Sequence, residues 1–227
     1  MPPPLLLFDI DGTLVRRAGP HHRQALEDAA RAITGLDAST ARIPTQGMLD
    51  GQIITLMLQE AGATQGQIRR AMPAVMAKAQ DLYVRRVPDL KSKVCPGARR
   101  LLYKLARRQV RTGLVTGNLS RIGWKKIERA GLLPYLHYGA FAEFADERRK
   151  LVAHAIGRAR REGWITSRSM IALVGDHEND ILAAQANGIP IVSVATGVSP
   201  AADLALLKPD FLIDDLRSFP WQELSLE

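Results

Sequence analysis

From Pro96 onwards the sequence switches repeatedly between helical periodicity and short apolar runs, and this alternation restricts the fold more than any other feature. The stretch 98–108 reads as a helix, 111–116 (RTGLVT) as a strand, and 121–130 as a helix that Gly131 stops. A short strand near 138–141, a basic helix over 150–162 and a strand over 170–175 (MIALVG) follow. Then come a helix over 181–186 halted near Gly188, a strand over 190–195 (PIVSVA), and further elements around Leu204 and Phe211. Such alternation builds an α/β fold: a parallel sheet with helices on both faces, because each crossover returns the chain along the sheet through a helix.

The apolar run Leu5–Phe8 ends at a polar turn and reads as one more buried strand. Between 16 and 88 the pattern is different. Three helical stretches are predicted there, over 21–33, over 50–61 and from Thr64, where Thr64 and Gln67 have the spacing of a capping box. No strand reads in this segment, and the first strand has no helix-to-strand return until after residue 90. The segment 16–88 is therefore expected to be an all-helical insertion into a core made of 1–15 and 89–227. No internal repeat is visible, and 227 residues at 46% hydrophobic content suffice for a substantial core.

Lys and Arg total 31 against 23 Asp and Glu, a formal charge of +8 that attracts anions. Nucleic acid is not the expected anion. Aromatics are only 5%, and the pairs Arg69-Arg70, Arg85-Arg86, Arg99-Arg100 and Arg107-Arg108 are dispersed rather than gathered into a basic stripe interleaved with aromatic residues. The single cysteine, Cys95, excludes an internal disulfide and reads as a small hydrophobe in a reducing compartment. The N-terminal apolar run is too short for export and no later run reaches membrane-spanning length, so a cytoplasmic protein with no membrane partner is expected.

Three polar clusters follow strands: Asp9 to Thr13 after the first, Thr116-Gly117-Asn118 after GLV, and Asp176 to Asp180 after MIALVG. Ligands of open α/β sheets bind beyond the carboxyl ends of the strands, so the three clusters are expected in one crevice. Asp9, Asp11, Asp176 and Asp180 would place four carboxylates there, and their repulsion calls for a cation. Oxygen donors without His/Cys spacing for zinc suit Mg²⁺.

The ordered set FDIDGT (8–13), LVTGN (114–118), a downstream basic residue and GDHEND (175–180) resembles the haloacid dehalogenase superfamily, in particular its phosphoglycolate-phosphatase-like members with a helical cap after the first motif. Gly47, Asp50 and Ile53 resemble an element of that cap. The resemblance implies a Rossmann-like, doubly wound core, 16–88 as cap, and a Mg²⁺-dependent phosphatase that hydrolyses a small phosphorylated metabolite through an aspartyl phosphate. It implies that Asp9 is the nucleophile and Asp11 the acid and base. Asp9, Asp11 through its backbone carbonyl, and Asp176 would hold the metal, with Asp180 supporting the metal shell or the basic residue. Thr116, Gly117 and Asn118 would bind the phosphoryl group. The cation is to be sought among Arg148, Arg149 and Lys150: spacing favours Arg148, while Lys150 offers the commoner chemical choice. His177 stands where similar proteins often carry Ser or Thr. His21 and His22 fall near a catalytic histidine of related phosphomutases, but read better as a solvated helix start. A phosphomutase of the β-phosphoglucomutase type is the alternative activity, and a non-catalytic binding protein on this fold the alternative class. A 2-haloacid dehalogenase is not expected, because that branch needs neither a proton-shuttling Asp11 nor a metal. The substrate's identity and the oligomeric state are not encoded legibly.

Overall fold

The structure, a computed structural model, describes residues 2–16 and 19–226. Six strands, β1 (Leu5–Phe8), β2 (Arg111–Val115), β3 (Tyr138–Ala140), β4 (Ile171–Gly175), β5 (Ile191–Val194) and β6 (Phe211–Ile213), form one sheet in the order β3-β2-β1-β4-β5-β6. Every pairing is parallel. β1 and β4 are buried at every position, which is why they read as unbroken apolar runs rather than alternating ones.

The helices are α1 (His21–Thr34), α2 (Asp50–Glu60), α3 (Gln65–Arg86), α4 (Ala98–Arg107), α5 (Ser120–Arg129), α6 (Arg148–Arg161), α7 (Glu178–Ala186) and α8 (Ala201–Leu206). From β1 the chain steps to β2 and β3 in one direction, then returns across β1 to β4, β5 and β6. Right-handed crossovers running in opposite directions put α4 and α5 on one face and α6, α7 and α8 on the other; α6 and α7 pack directly on each other. The reversal lies between β1 and β4, and it opens a crevice where the carboxyl ends of β1, β2 and β4 lie side by side. This is the doubly wound architecture expected from the alternation.

Two helices begin earlier than their apolar periodicity. α6 starts at Arg148 rather than 150 and α7 at Glu178 rather than 181, because their first turns are polar: the start of α6 is held by the ion pairs of buried Arg148 with Asp9 and Asp180, that of α7 by its cap. At α7, His177 is the cap: its Nδ1 accepts from the Asn179 N–H at 3.2 Å, while the Asp180 carboxylate accepts from the His177 N–H at 3.2 Å.

Between β1 and residue 90, α1, α2 and α3 are the helices, and no strand occurs there among the described residues. The predicted capping box is present: the Thr64 N–H donates to Gln67 Oε1 at 2.8 Å and the Gln67 N–H to Thr64 Oγ1 at 3.4 Å. The chain leaves and re-enters the sheet layer along adjacent extended segments, with Val15 and Val94 bridged antiparallel and the Arg16 N–H bonded to the Lys93 carbonyl at 2.7 Å. Beside them Cys95 is buried, and burial pushes its thiol up to about 11, as befits a small core residue rather than a nucleophile. No helix among the described residues is long and apolar enough to cross a membrane.

Candidate active site

Asp9 is the first residue after β1 and Asp176 the first after β4, so adjacent parallel strands deliver two buried carboxylates to the same crevice. Asp180, in the first turn of α7, is the third. One oxygen from each of Asp9, Asp176 and Asp180 lies within 4.8 Å of the others. Asp176 is gripped closely. Its Oδ1 accepts from Thr13 Oγ1 at 2.8 Å, and its Oδ2 occupies the space that side chains at Gly12 and Gly197 would fill, 2.2 and 1.7 Å from where their Cβ atoms would lie. Gly12 also has φ +90°, so the turn after β1 requires glycine twice over.

Arg148, the first residue of α6, is the counter-charge. It is buried, its Nη1 donates to Asp180 Oδ1 at 2.8 Å and lies 3.4 Å from Asp9 Oδ1. Burial opposes its charge, but Asp180 and Asp9 outweigh that and hold the guanidinium protonated. The other oxygen of Asp180 accepts the His177 N–H, so each of its oxygens holds a hydrogen bond. Asp9 Oδ1 has no partner with hydrogen-bond geometry, although it is buried. Burial pushes Asp9 up to about 6 against the pull of Arg148, with Asp180 and Asp11 adding repulsion. Burial and the charges of Asp9 and Asp180 push Asp176 well above its ordinary value, and burial raises Asp180 despite Arg148.

Three buried carboxylates thus face one guanidinium. A divalent cation fits that imbalance: the donors are all carboxylate oxygens, they are close enough to share an ion, and one oxygen is orphaned. Asp9 and Asp176 offer the freer oxygens, while each oxygen of Asp180 already accepts one hydrogen bond, from Arg148 or from the His177 amide.

Asp11 points elsewhere. Its side chain is 40% exposed towards the cavity, and it accepts from Lys126 Nζ at 2.8 and 2.6 Å and from Asn118 Nδ2 at 2.8 Å. Burial alone would raise it, but Lys126, His22 and the hydrogen bonds bring Asp11 below the usual value. Its carboxylate is not part of the metal-type cluster. Thr116 is buried at the end of β2, its Oγ1 accepting from Asn118 Nδ2 at 2.6 Å and its hydroxyl proton left to donate. At Gly117 a Cβ would lie 2.2 Å from the Met48 carbonyl, so the backbone before α2 rests on this loop. Asp50 locks it there: its N–H donates to the Gly117 carbonyl at 2.8 Å and its Oδ2 accepts the Leu119 N–H at 2.8 Å. These groups line a cavity of about 980 Å³, whose mouth also carries Arg16, Arg23 and Lys93.

The haloacid dehalogenase-like hydrolase family matches residues 3–188. The chain belongs to this family. A phosphoglycolate phosphatase of Agrobacterium fabrum is 26% identical over 221 residues, spanning 95% of this chain and 90% of that protein. The β-phosphoglucomutase of Clostridium difficile superposes with a TM-score of 0.70 at 15% identity, over 98% of this chain and 96% of that one. CbbY of Rhodobacter sphaeroides, solved with xylulose-(1,5)bisphosphate, gives 0.70 at 18% identity, over 95% and 96%. These two likenesses establish the fold of this haloacid dehalogenase-like hydrolase.

Of the residues named from sequence, Asp9, Asp11, Thr116, Gly117, Asn118, Arg148 and Asp176 line the one cavity, and Asp180 stands behind it. Lys150 does not join them. It is the exposed third residue of α6 and pairs with Asp146 at 2.7 Å and Glu147 at 3.2 Å; Arg149 is likewise exposed and bonded to Glu147. His22 is not a solvated helix end: it lies in the cavity wall, Nε2 3.0 Å from Asp50 Oδ2 and Nδ1 3.2 Å from Lys126 Nζ, with its ring edge-on to Tyr83. Lys126 is not among the residues that the motifs point to. The available signal was its place on α5: a lysine one turn beyond Ile122 and next to Ile127 sits on the face that buries both.

Proposed function

We propose that this phosphoric monoester hydrolase is a Mg²⁺-dependent phosphatase that hydrolyses a small phosphorylated metabolite by way of a phosphoryl group carried on Asp9. The observation that carries the reading is the buried Asp9 Oδ1, which accepts no hydrogen bond and faces Arg148 and the Asp176 carboxylate. The Asp9 carboxylate attacks phosphorus, the bond to the leaving oxygen breaks, and that oxygen takes a proton from Asp11. Bringing a phosphate dianion beside Asp11 raises its proton affinity, which lets a carboxylate that is ionised in the free site serve as acid. A water then gives a proton to Asp11 and attacks the same phosphorus, releasing inorganic phosphate and regenerating the Asp9 carboxylate. Thr116 and the Gly117 and Asn118 amides of the loop before α5 donate to the phosphoryl oxygens; the Leu119, Ser120 and Arg121 amides already serve Asp50, Glu143 and Gln80. Bound by Asp9, Asp176 and the Asp11 carbonyl, Mg²⁺ supplies the charge that offsets repulsion between nucleophile and phosphate. Asp180 holds Arg148 in place.

Residues 16–88 serve as the cap, hinged at the paired segments around Val15 and Val94, and exclude bulk water during transfer. The cationic mouth suits an anionic metabolite of the cytoplasm rather than nucleic acid or membrane. Phosphoglycolate, the substrate in the name of the Agrobacterium relative, heads the panel to be tried. One observation favours a mutase instead: His22 turned into the cavity and paired with Asp50. Inorganic phosphate released in equal amount to alcohol supports the phosphatase; an isomeric phosphate with little free phosphate supports the mutase.

Chelation is expected to abolish turnover and Mg²⁺ to restore it. Stability should follow. Asp9 is raised from 3.8 to about 6, so over that interval the metal-free folded state binds more protons than the unfolded chain, and this group's contribution to stability falls as pH rises. A bound divalent cation removes the penalty, so Mg²⁺ should raise Tm more at pH about 7.5 than at pH about 4.5. Full activity in chelator, or a Mg²⁺ shift that is the same at both pH values, contradicts the reading.

A further inference from the structure

Lys126 is the one ammonium among the described residues that is buried in this fold, with its side chain 2% exposed. A buried ammonium persists only where its donors are satisfied. Its Nζ meets both oxygens of Asp11 at 2.8 and 2.6 Å and Asn118 Oδ1 at 2.7 Å, while His22 Nδ1 approaches to 3.2 Å and the Tyr83 ring centre to 6.0 Å. Asn118 in turn donates to Asp11 Oδ2 and to Thr116 Oγ1. The ammonium and one amide therefore fix both oxygens of Asp11 and tie them to the loop that carries Thr116.

We propose that Lys126 is a positioning residue for Asp11. By holding that carboxylate through both oxygens, it sets where the carboxyl group meets the leaving oxygen of the ester. It does not touch the transferring phosphoryl group. The geometry separates its role from that of Arg148: Arg148 faces Asp9 and Asp180 on the β4 side of the crevice, whereas Lys126 faces Asp11 from α5. Nothing else cationic among the described residues contacts Asp11. The inference rests on the phosphatase reading, in which Asp11 moves the proton.

The test uses the dependence on leaving group. In the Mg²⁺-loaded full chain, Lys126→Met should lower kcat on alkyl phosphates by about 100-fold, the cost of misplacing a reacting group by about 1 Å. On an aryl phosphate, whose phenolate needs little protonation, the loss should stay under about tenfold, with KM little changed on either ester. Lys126→Arg, which keeps the charge and the donors, should recover part of the alkyl phosphate rate. In an Asp11→Asn background Lys126→Met should cost nothing further on the alkyl ester. A loss equal for both esters, or one that adds in full to that of Asp11→Asn, overturns the proposal and leaves Lys126 a structural residue. Should Lys126→Met alone fail to fold, the charge-balanced double variant Asp11→Asn/Lys126→Met compared with Asp11→Asn, together with Lys126→Arg, gives the same decision. Wild type that hydrolyses no phosphomonoester sinks the phosphatase reading itself; active wild type with a uniform loss in the variants sinks only the role of Lys126.

Discussion

Asp9→Asn is expected to lower turnover by about 10⁴-fold or more on every phosphomonoester, aryl esters included, while the protein stays folded. The amide has the shape of the carboxylate but cannot attack phosphorus, and no choice of leaving group relieves that defect. Asp11→Asn differs in this respect, because a good leaving group bypasses a missing proton. The substitution also removes one of three crowded carboxylates, so the metal-free variant should melt no lower than wild type at neutral pH. Steady-state rates on an aryl and an alkyl ester, with melting curves for both proteins, check the two statements together.

Arg148→Ala is the second large effect. Losing a preorganised cation at the transferring group costs about 10²–10³ in kcat. Stability suffers as well, because Asp9 and Asp180 lose their buried counter-charge; breaking such a pair typically costs about 3–5 kcal/mol, part of which the carboxylates recover by taking up protons. Lys150→Ala is the contrast. Its side chain is 51% exposed and its partners Asp146 and Glu147 are at the surface, so the change should alter stability by no more than about 0.5 kcal/mol and leave kcat untouched. Inactivity of Lys150→Ala with an active Arg148→Ala would reverse the assignment.

The strand ends were legible in the sequence because a buried parallel strand leaves a continuous apolar run, and the first polar residue after it marks the carboxyl edge of the sheet. Asp9, Thr116 and Asp176 were each found that way. Spacing favoured Arg148 over Lys150, but side-chain chemistry pulled the other way and left Lys150 in contention. The choice depends on where α6 begins: successive residues turn by about 100°, so with Glu147 as cap only Arg148 faces the crevice and the next two face solvent. Lys126 was hidden for a different reason. A lysine reads as surface unless the helix face it shares is traced, and Ile122 and Ile127 show that face to be buried. His22 and Asp50 meet across 28 residues, in a pairing set by how α1 and α2 dock, which no local pattern records.

The central claim is that the phosphoryl group passes through Asp9. Borohydride added to Mg²⁺-loaded enzyme during turnover reduces an acyl phosphate to an alcohol, and peptide mapping then locates the altered side chain. Homoserine at position 9, dependent on substrate and absent from Asp9→Asn, is the predicted result. Unmodified Asp9 in an enzyme that is turning over, or homoserine at Asp176 or Asp11 instead, would contradict it.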